Sequence, residues 1–147
     1  MMWDEPGQYH IAGKQVTVFP AKTPGSPAVY LNTFAGELPA ILEELRTRAG
    51  ADLKSGTDFA AGADSVSGTA SGDWRDFTLV AITDLDWNHD LAPWDCPPAF
   101  KNGEPCTGGA PDYLKVLTGA IIPKVEENLS APVLWRGIAG YSLAGLF

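Results

Sequence analysis

The chain has 147 residues, of which 45% are hydrophobic and 19% charged, a composition typical of one globular domain rather than a disordered segment. The net charge is −8 and Lys and Arg form no cluster, which argues against nucleic acid or an anionic membrane surface as a partner. The N-terminal residues lack the basic and apolar regions of a signal peptide, and no apolar run approaches the ~20 residues of a membrane span. We therefore predict a cytoplasmic protein with a single domain over residues 1–147.

The first half of the chain contains short β-rich runs and one amphipathic segment. Residues Gln15–Phe19 predict a strand near a sheet edge, because Pro20 ends it. Residues Ala28–Leu31 form an apolar run typical of a strand that is buried on both faces of a parallel sheet. A helix is expected over Glu37–Ala49, where apolar residues recur at spacings of three and four, namely Leu38, Ile41, Leu42 and Leu45.

The middle of the chain contains one clear strand between two irregular segments. Residues Ser55–Asp73 are rich in Gly, Ala, Ser and Asp and predict a long loop. Residues Phe77–Thr83 are β-rich and apolar, and they predict a buried strand. The stretch Asp84–Ala110 that follows is irregular, with three aromatic anchors at Trp87, Trp94 and Phe100.

The last part of the chain predicts one helix and one strand. The helix starts at Pro111 and runs to about Asn128, kinked or broken near Pro123, with an apolar stripe of Leu114, Leu117, Ile121 and Val125. Residues Leu134–Gly140 predict a buried strand. Because strands alternate with helices, the expected fold class is α/β, a three-layer sandwich around a mostly parallel sheet.

Ser142 follows the last predicted strand directly, within Gly140-Tyr141-Ser142-Leu143-Ala144. Gly140 and Ala144 provide the small residues that a sharp strand-to-helix turn requires two before and two after a nucleophilic serine, although the strict G-x-S-x-G string has Gly at the fifth position. Such a nucleophile elbow exposes the serine hydroxyl at the edge of the sheet. Ser142 is therefore the predicted nucleophile, and the alternative is a serine in a turn that only caps a helix.

Two backbone amides are candidates for an oxyanion hole. Leu143 follows the nucleophile, at the N-terminus of the expected helix, where its N–H would face the developing charge. The second donor should come from the loop after Ala28–Leu31, where we expect the amide of Thr33 or of Phe34, with Thr33 as the assigned donor. A plain strand-to-helix connection is the alternative for this loop.

Three regions resemble bacterial esterases of the α/β-hydrolase superfamily, of the esterase D and enterochelin-esterase type. They are Ile82–Trp94, then Cys106–Leu114 with Ile121–Glu126, and finally Arg136–Leu146. The similarity covers about Phe77–Phe147 well and the first half of the chain only loosely. It implies serine-dependent hydrolysis of a carboxylic ester with Ser142 as the nucleophile, and we expect neither a cofactor nor a metal.

In that fold the acid and the histidine of the triad follow the serine in chain order, and five residues follow Ser142 here. We therefore expect an α/β-hydrolase fold that is truncated just after the elbow and is inactive by itself. The last strand would then have an unpaired edge, so self-association is also expected. His89 is the alternative source of a base.

The irregular stretch allows several other interpretations. An acidic cluster could bind a divalent cation, but we predict a polar loop and no metal site; its members are Asp84, Asp86, His89, Asp90 and Asp95. Trp87 and Trp94 are predicted to wall a substrate pocket, with core packing as the alternative. Cys96 and Cys106 are predicted to be free thiols. The alternative function is a catalytically silent α/β module that binds a small ligand.

Overall fold

The computed structural model describes Trp3, residues 5–50 and residues 76–147. The loop predicted over Ser55–Asp73 lies outside these residues. The strands are β1 (Gly7–Ile11), β2 (Lys14–Phe19), β3 (Ala28–Asn32), β4 (Thr78–Thr83), β5 (Asp95–Cys96), β6 (Cys106–Thr107) and β7 (Arg136–Ala139). The helices are α1 (Leu38–Gly50), α2 (Trp87–Asp90), α3 (Ala110–Val116) and α4 (Ile122–Glu126), with a π-helical turn at Leu117–Ile121 and a 3₁₀ helix at Ser142–Gly145.

Five strands form the main sheet, in the order β1-β2-β4-β3-β7. The pairs β1–β2 and β2–β4 are antiparallel, whereas β3 pairs in parallel with both β4 and β7. The three strands expected to be parallel are therefore parallel, and the sheet as a whole is mixed. β5 and β6 form a separate antiparallel ribbon.

Helices cover both faces of the sheet, as the predicted three layers require. On one face, alternate residues of the central strands pack against the helical run α3 to α4, and this cluster includes Val16, Tyr30, Val80, Ile82, Leu117 and Ile121. On the other face, α1 packs through Leu42 against a smaller cluster that includes Trp3, Phe19, Leu31 and Leu79. Since β4 lies in the middle and all six of its residues are buried, it is the centre of the core.

β2 lies near the sheet edge, as predicted, but the preceding strand that forms the edge itself was missed. β1 pairs with β2 along its whole length and takes the edge position. The two are joined by Ala12 and Gly13, both with positive φ (49° and 78°), the conformation that a two-residue hairpin turn needs. The weak alternation of β1, whose residues are half-buried or exposed, explains why it was overlooked.

The last long helix is neither broken nor sharply interrupted at Pro123. The π-helical turn at Leu117–Ile121 precedes the proline and joins α3 to α4. A proline in a helix lacks one N–H and its ring collides with the carbonyl group four residues earlier, so a wider turn at this position relieves both problems. The buried stripe is Tyr113, Leu117, Ile121 and Val125; Leu114, which was predicted to belong to it, is 49% exposed.

The prediction of three aromatic anchors in the irregular stretch is wrong for two of them. Trp94 and Phe100 are 62% and 80% exposed, and only Trp87 packs against the core. Within residues 5–50 and 76–147, none of the helices combines the length and the hydropathy that crossing a bilayer requires.

Candidate active site

Ser142 lies at a sharp turn between β7 and the 3₁₀ helix that it begins. Its side chain is exposed and its φ is +53°, a left-handed conformation that few residues other than glycine adopt. Such strained positions are held by the surrounding structure and cluster at functional sites. The turn is the carboxyl end of a parallel strand, where ligands bind in open α/β sheets.

The small residues on either side of Ser142 are a steric requirement of this turn. A Cβ atom added to Gly140 would lie 2.7 Å from the Cβ of Ala144 and still closer to the Ala144 carbonyl oxygen. Ala144 itself is 5% exposed and packs into the core. Any larger side chain at either position would push the two arms of the turn apart, so the turn, called the elbow below, requires small residues at both positions.

The predicted oxyanion donor Thr33 is already engaged in the sheet. Its N–H donates to the carbonyl oxygen of Ile82 at 3.1 Å, which extends the β3–β4 pairing by one bond. The Thr33 assignment is therefore not supported by this geometry. The next amide, that of Phe34, approaches the hydroxyl group of Tyr141, immediately before Ser142. Leu143 lies in the first turn of the 3₁₀ helix, where an N–H has no partner within the helix.

Three aromatic side chains form a cluster beside the elbow. Phe34 and Trp87 stack, with ring centroids 4.0 Å apart and planes inclined by 22°, and Trp87 lies 5.6 Å from Tyr141. They come from the ends of three parallel strands, β3, β4 and β7. Trp87 thus lies where the sequence predicts it, whereas exposed Trp94 makes no stacking contact with an aromatic ring in the described part of the chain.

Tyr141 fixes the elbow to the start of α1. Its hydroxyl group donates a hydrogen bond to the Glu37 carboxylate. Burial raises the pKa of Tyr141, and the hydrogen bond to Glu37 raises it further. The tyrosine therefore stays neutral and able to donate at physiological pH. Neither residue was singled out from the sequence, because a tyrosine in a turn and a glutamate before a helix carry no specific pattern.

His89 is held against the β5–β6 ribbon. Its Nδ1 lies 3.0 Å from the Thr107 carbonyl oxygen and 2.7 Å from the Thr107 hydroxyl oxygen. Gly109 packs so closely on the ring, at Nε2 and the adjoining carbons, that a Cβ atom would collide with it. No hydrogen bond joins this ring to Ser142 among the residues that the structure describes.

The acidic residues of the same stretch are used in local structure. Asp90 forms an ion pair with Lys14 and accepts a hydrogen bond from the Asp86 N–H at 2.8 Å. Asp84 ends β4 with a φ of +57°, which aspartate tolerates at turns. In the part of the chain that the structure describes, no three His, Cys, Asp or Glu side chains come together as a metal ion would require.

Asn32 is a site-adjacent residue that the sequence analysis did not weigh. It is fully buried at the end of β3, and its Oδ1 accepts a hydrogen bond of 2.6 Å from the Tyr113 hydroxyl group. Its Nδ2 has no hydrogen-bond partner among the described residues. The available signal was a polar residue at the end of an otherwise apolar strand.

A cleft of about 270 Å³ lies at the opposite edge of the sheet, far along the strands from the elbow. It is lined by the turn before β3 and by the segment after α4, including Thr23, Ser26, Thr78, Asn128 and Val133. None of the predicted site residues contributes to it. The chemistry that the sequence predicts is therefore concentrated at the carboxyl edge.

Several solved structures share this fold. The siderophore hydrolase EstA from Aspergillus nidulans matches with a TM-score of 0.62 and 20% identity, over 95% of this chain and 49% of its own. The BES protein from Bacillus cereus matches with a TM-score of 0.62 and 17% identity, over 97% and 55%. The enterobactin hydrolase IroE, in complex with DFP, matches with a TM-score of 0.51 and 21% identity, over 97% and 54%.

These likenesses establish the fold of the chain, which confirms the fold-level resemblance predicted from the sequence. The chain spans about half the length of each of the three structures. No protein-family model matches the sequence, and no curated protein matches it.

Proposed function

We propose that residues 1–147 form the nucleophile-bearing portion of a serine-dependent carboxylic ester hydrolase. The observation that carries the proposal is Ser142 itself, exposed at φ +53° on a turn whose packing admits no side chain at Gly140. A helix cap needs neither this backbone conformation nor this close approach. The shared fold with EstA and IroE, both of which are hydrolases, adds support.

In this proposal the Ser142 hydroxyl group attacks the carbonyl carbon of an ester while a base removes its proton. The tetrahedral oxyanion accepts hydrogen bonds from the Leu143 N–H and from the Phe34 N–H, which would exchange the Tyr141 hydroxyl group for the oxyanion and replaces Thr33 as the second donor. Expulsion of the alcohol leaves an acyl-serine that water then hydrolyses. Trp87, stacked on Phe34, forms one wall of the substrate pocket.

The general base and its acid partner are proposed to come from sequence outside residues 1–147. The half-length coverage of the matched structures supports this. So does the exposure of apolar side chains in and just before β7, the edge strand of the described sheet: Leu134, Trp135 and Ile138 are 63%, 53% and 56% exposed. Without further structure to cover it, the same edge promotes self-association.

The test compares hydrolysis of p-nitrophenyl acetate by three forms of the 147-residue chain. The unmodified chain, Ser142→Ala and the matched surface control Ser130→Ala should all show the same low rate. A longer version that carries the downstream half should turn over the ester, and Ser142→Ala should lower its kcat by ~10³-fold or more, with Ser130→Ala unaffected.

Two outcomes would overturn parts of this proposal. If the longer protein hydrolyses esters equally well with Ala at position 142, Ser142 is not the nucleophile. If the 147-residue chain alone shows robust activity that Ser142→Ala abolishes, the base lies within the chain, and His89→Ala would be the next variant to measure.

A further inference from the structure

The β5–β6 ribbon places the two cysteines of the chain directly opposite each other. Cys96 and Cys106 are register partners across this antiparallel pair, and both are half-buried. Side chains of opposed residues lie on the same face of a ribbon, and their Cα atoms are roughly 4.5–5.5 Å apart. Disulfide-bonded cysteines have Cα separations of about 4.4–6.8 Å, so the backbone already has the spacing that a disulfide needs.

The raised pKa of the Cys106 thiol agrees with this placement, since its hydrogen bond with Cys96 is the largest cause of the shift. Because register partners lie on the same face of the ribbon, the two side chains can meet without a change of strand register.

We propose that Cys96 and Cys106 form a reversible intramolecular disulfide by exchange with a small-molecule disulfide such as oxidised glutathione. One cysteine, as the thiolate, attacks the small disulfide, forms a mixed disulfide and releases one glutathione thiolate. The other cysteine then attacks the mixed disulfide and releases the second glutathione. Two protein thiols are oxidised, one glutathione disulfide is reduced to two thiols, and the two cysteine protons pass to the released thiolates.

The surroundings of the ribbon hold this geometry in place. Thr107, next to Cys106, is hydrogen-bonded to the His89 ring through its hydroxyl group at 2.7 Å. Gly108, at φ +48°, lies so close to Asp95 that a Cβ atom would be 2.9 Å from its carboxylate. The connecting loop, residues 97–105, contains prolines at 97, 98 and 105, which restrict its backbone. Since both strands are anchored, the cysteines cannot easily separate.

The disulfide would lock a segment that supports the aromatic cluster. His89 belongs to α2, the helix that begins with Trp87, and the Gly109 N–H donates to the His89 carbonyl oxygen at 2.9 Å. Oxidation would therefore fix the ribbon that is hydrogen-bonded to His89, in the helix that begins with Trp87. The inference does not depend on Ser142, so it can hold or fail separately from the proposed function.

The experiment incubates the native 147-residue chain with excess oxidised glutathione, blocks remaining thiols with iodoacetamide and digests it with trypsin without reduction. Cleavage after residues 75, 101 and 115 should release peptide 76–101 joined to peptide 102–115, and reduction should separate them. The intact protein should lose the mass of two hydrogen atoms and carry no glutathione. Cys96→Ser, the matched control, should instead form a stable mixed disulfide at Cys106.

A comparison with the denatured chain separates a preformed pair from two cysteines that are merely near in sequence. In glutathione buffers of graded composition, the native chain should be half oxidised at a ratio of oxidised to reduced glutathione at least ~10-fold lower than the chain in urea. The proposal would be overturned if the native chain ended with two alkylated thiols, with two glutathione adducts or only as disulfide-linked dimers. It would also be overturned if the native and denatured chains were half oxidised at the same ratio of oxidised to reduced glutathione.

Discussion

Two turns meet at the carboxyl edge of the sheet, one after β7 and one after β3, and they differ in how strictly they constrain side chains. The turn after β7 brings Gly140 so close to Ala144 that only small residues fit. The loop after β3 contributes backbone amides, which every residue except proline has. The first turn is therefore visible in the sequence as a pattern of small residues, whereas the second has no pattern of its own.

This difference explains why the tight turn at Ser142 could be predicted from the sequence and why the backbone amide of the second loop could not. The position of Ser142 after a strand, at a strained turn, follows from Gly140 and Ala144. The choice of Thr33 failed because the sheet extends one bond further than its apolar run, so that the Ile82 carbonyl oxygen takes the Thr33 amide. A sequence cannot show at which residue a backbone hydrogen-bond ladder ends.

The largest effect is expected from Gly140→Ala, which tests the steric constraint in the turn after β7. Because the new Cβ would collide with backbone and Cβ atoms of Ala144, we expect the free energy of unfolding to fall by ~2–4 kcal/mol. Gly36→Ala is the matched control in the loop after β3, since its added Cβ meets nothing within 4 Å, and it should change stability by less than ~0.5 kcal/mol. Urea unfolding measures both; equal effects would refute the steric account of the elbow.

Tyr113→Phe tests how the end of β3 is held below its loop. The substitution removes the hydrogen bond to the buried Asn32 side chain, so we expect a loss of ~1–3 kcal/mol of unfolding free energy. Tyr9→Phe is the control, because the Tyr9 hydroxyl group makes no hydrogen bond within the described residues. A loss of unfolding free energy in Tyr113→Phe but not in Tyr9→Phe, measured by urea unfolding, supports this account. An unchanged unfolding midpoint in Tyr113→Phe would show that the hydrogen bond to Asn32 does not stabilise the fold.

The pH dependence of stability tests how β7 is anchored. Arg136, at the start of β7, donates two hydrogen bonds of 2.6 Å to Glu126 of α4, and these lower the pKa of Glu126 from its ordinary value of 4.5, against the opposing effect of burial. The resulting stability is present above about pH 4.5 and is lost as pH falls through the lower pKa of the folded state.

Glu126→Gln should therefore lower stability by ~0.5–1 kcal/mol at pH 7, a small value because Arg136 is largely exposed, and should have less effect at pH 3. Glu104→Gln, at an exposed glutamate in the β5–β6 loop, serves as the control. Thermal unfolding at both pH values gives the comparison. If Glu126→Gln lowers stability more at pH 3 than at pH 7, the assigned role of Glu126 is contradicted.

The smallest expected effect is that of Ser142→Gly. Glycine adopts positive φ without the cost that serine has, although it loses more backbone freedom on folding, so we expect a gain of ~0.5 kcal/mol in unfolding free energy. Ser142→Ala keeps a Cβ and should be neutral. If glycine is no more stabilising than alanine in urea unfolding, Ser142 is not strained in solution.

Beyond the site, the sequence predicted the elements whose side-chain pattern is decided by burial. The strands β3 and β4 and the helix α1 were recognised from apolar runs or helical spacing. The strand β7 was predicted too, but its prediction as a buried strand is wrong, since none of its four residues is buried and Ile138 is 56% exposed. The edge strand β1 was missed because half-exposed residues leave no clear alternation. The π-helical turn was missed because Pro123 suggests a break, and nothing in the local sequence specifies that a wider turn will absorb it.

The aromatic cluster shows the same limit at the level of tertiary contacts. Trp87, Phe34 and Tyr141 come from segments that are distant in sequence, and only the parallel arrangement of β3, β4 and β7 brings their ends together. Trp87 and Trp94 were indistinguishable in the sequence, since both are tryptophans in one irregular stretch. Their exposures separate them, because only Trp87 lies beside the elbow.

The central claim, that Ser142 is the nucleophile of an ester hydrolase, is tested most directly by covalent trapping. A fluorophosphonate reagent, which phosphonylates activated serines, is added to the longer protein, and the labelled peptide is identified by mass spectrometry. We predict a single adduct at Ser142, loss of ester hydrolysis in proportion to labelling, and no adduct in Ser142→Ala. An adduct at another serine, or full activity after Ser142 has been labelled, would contradict the claim.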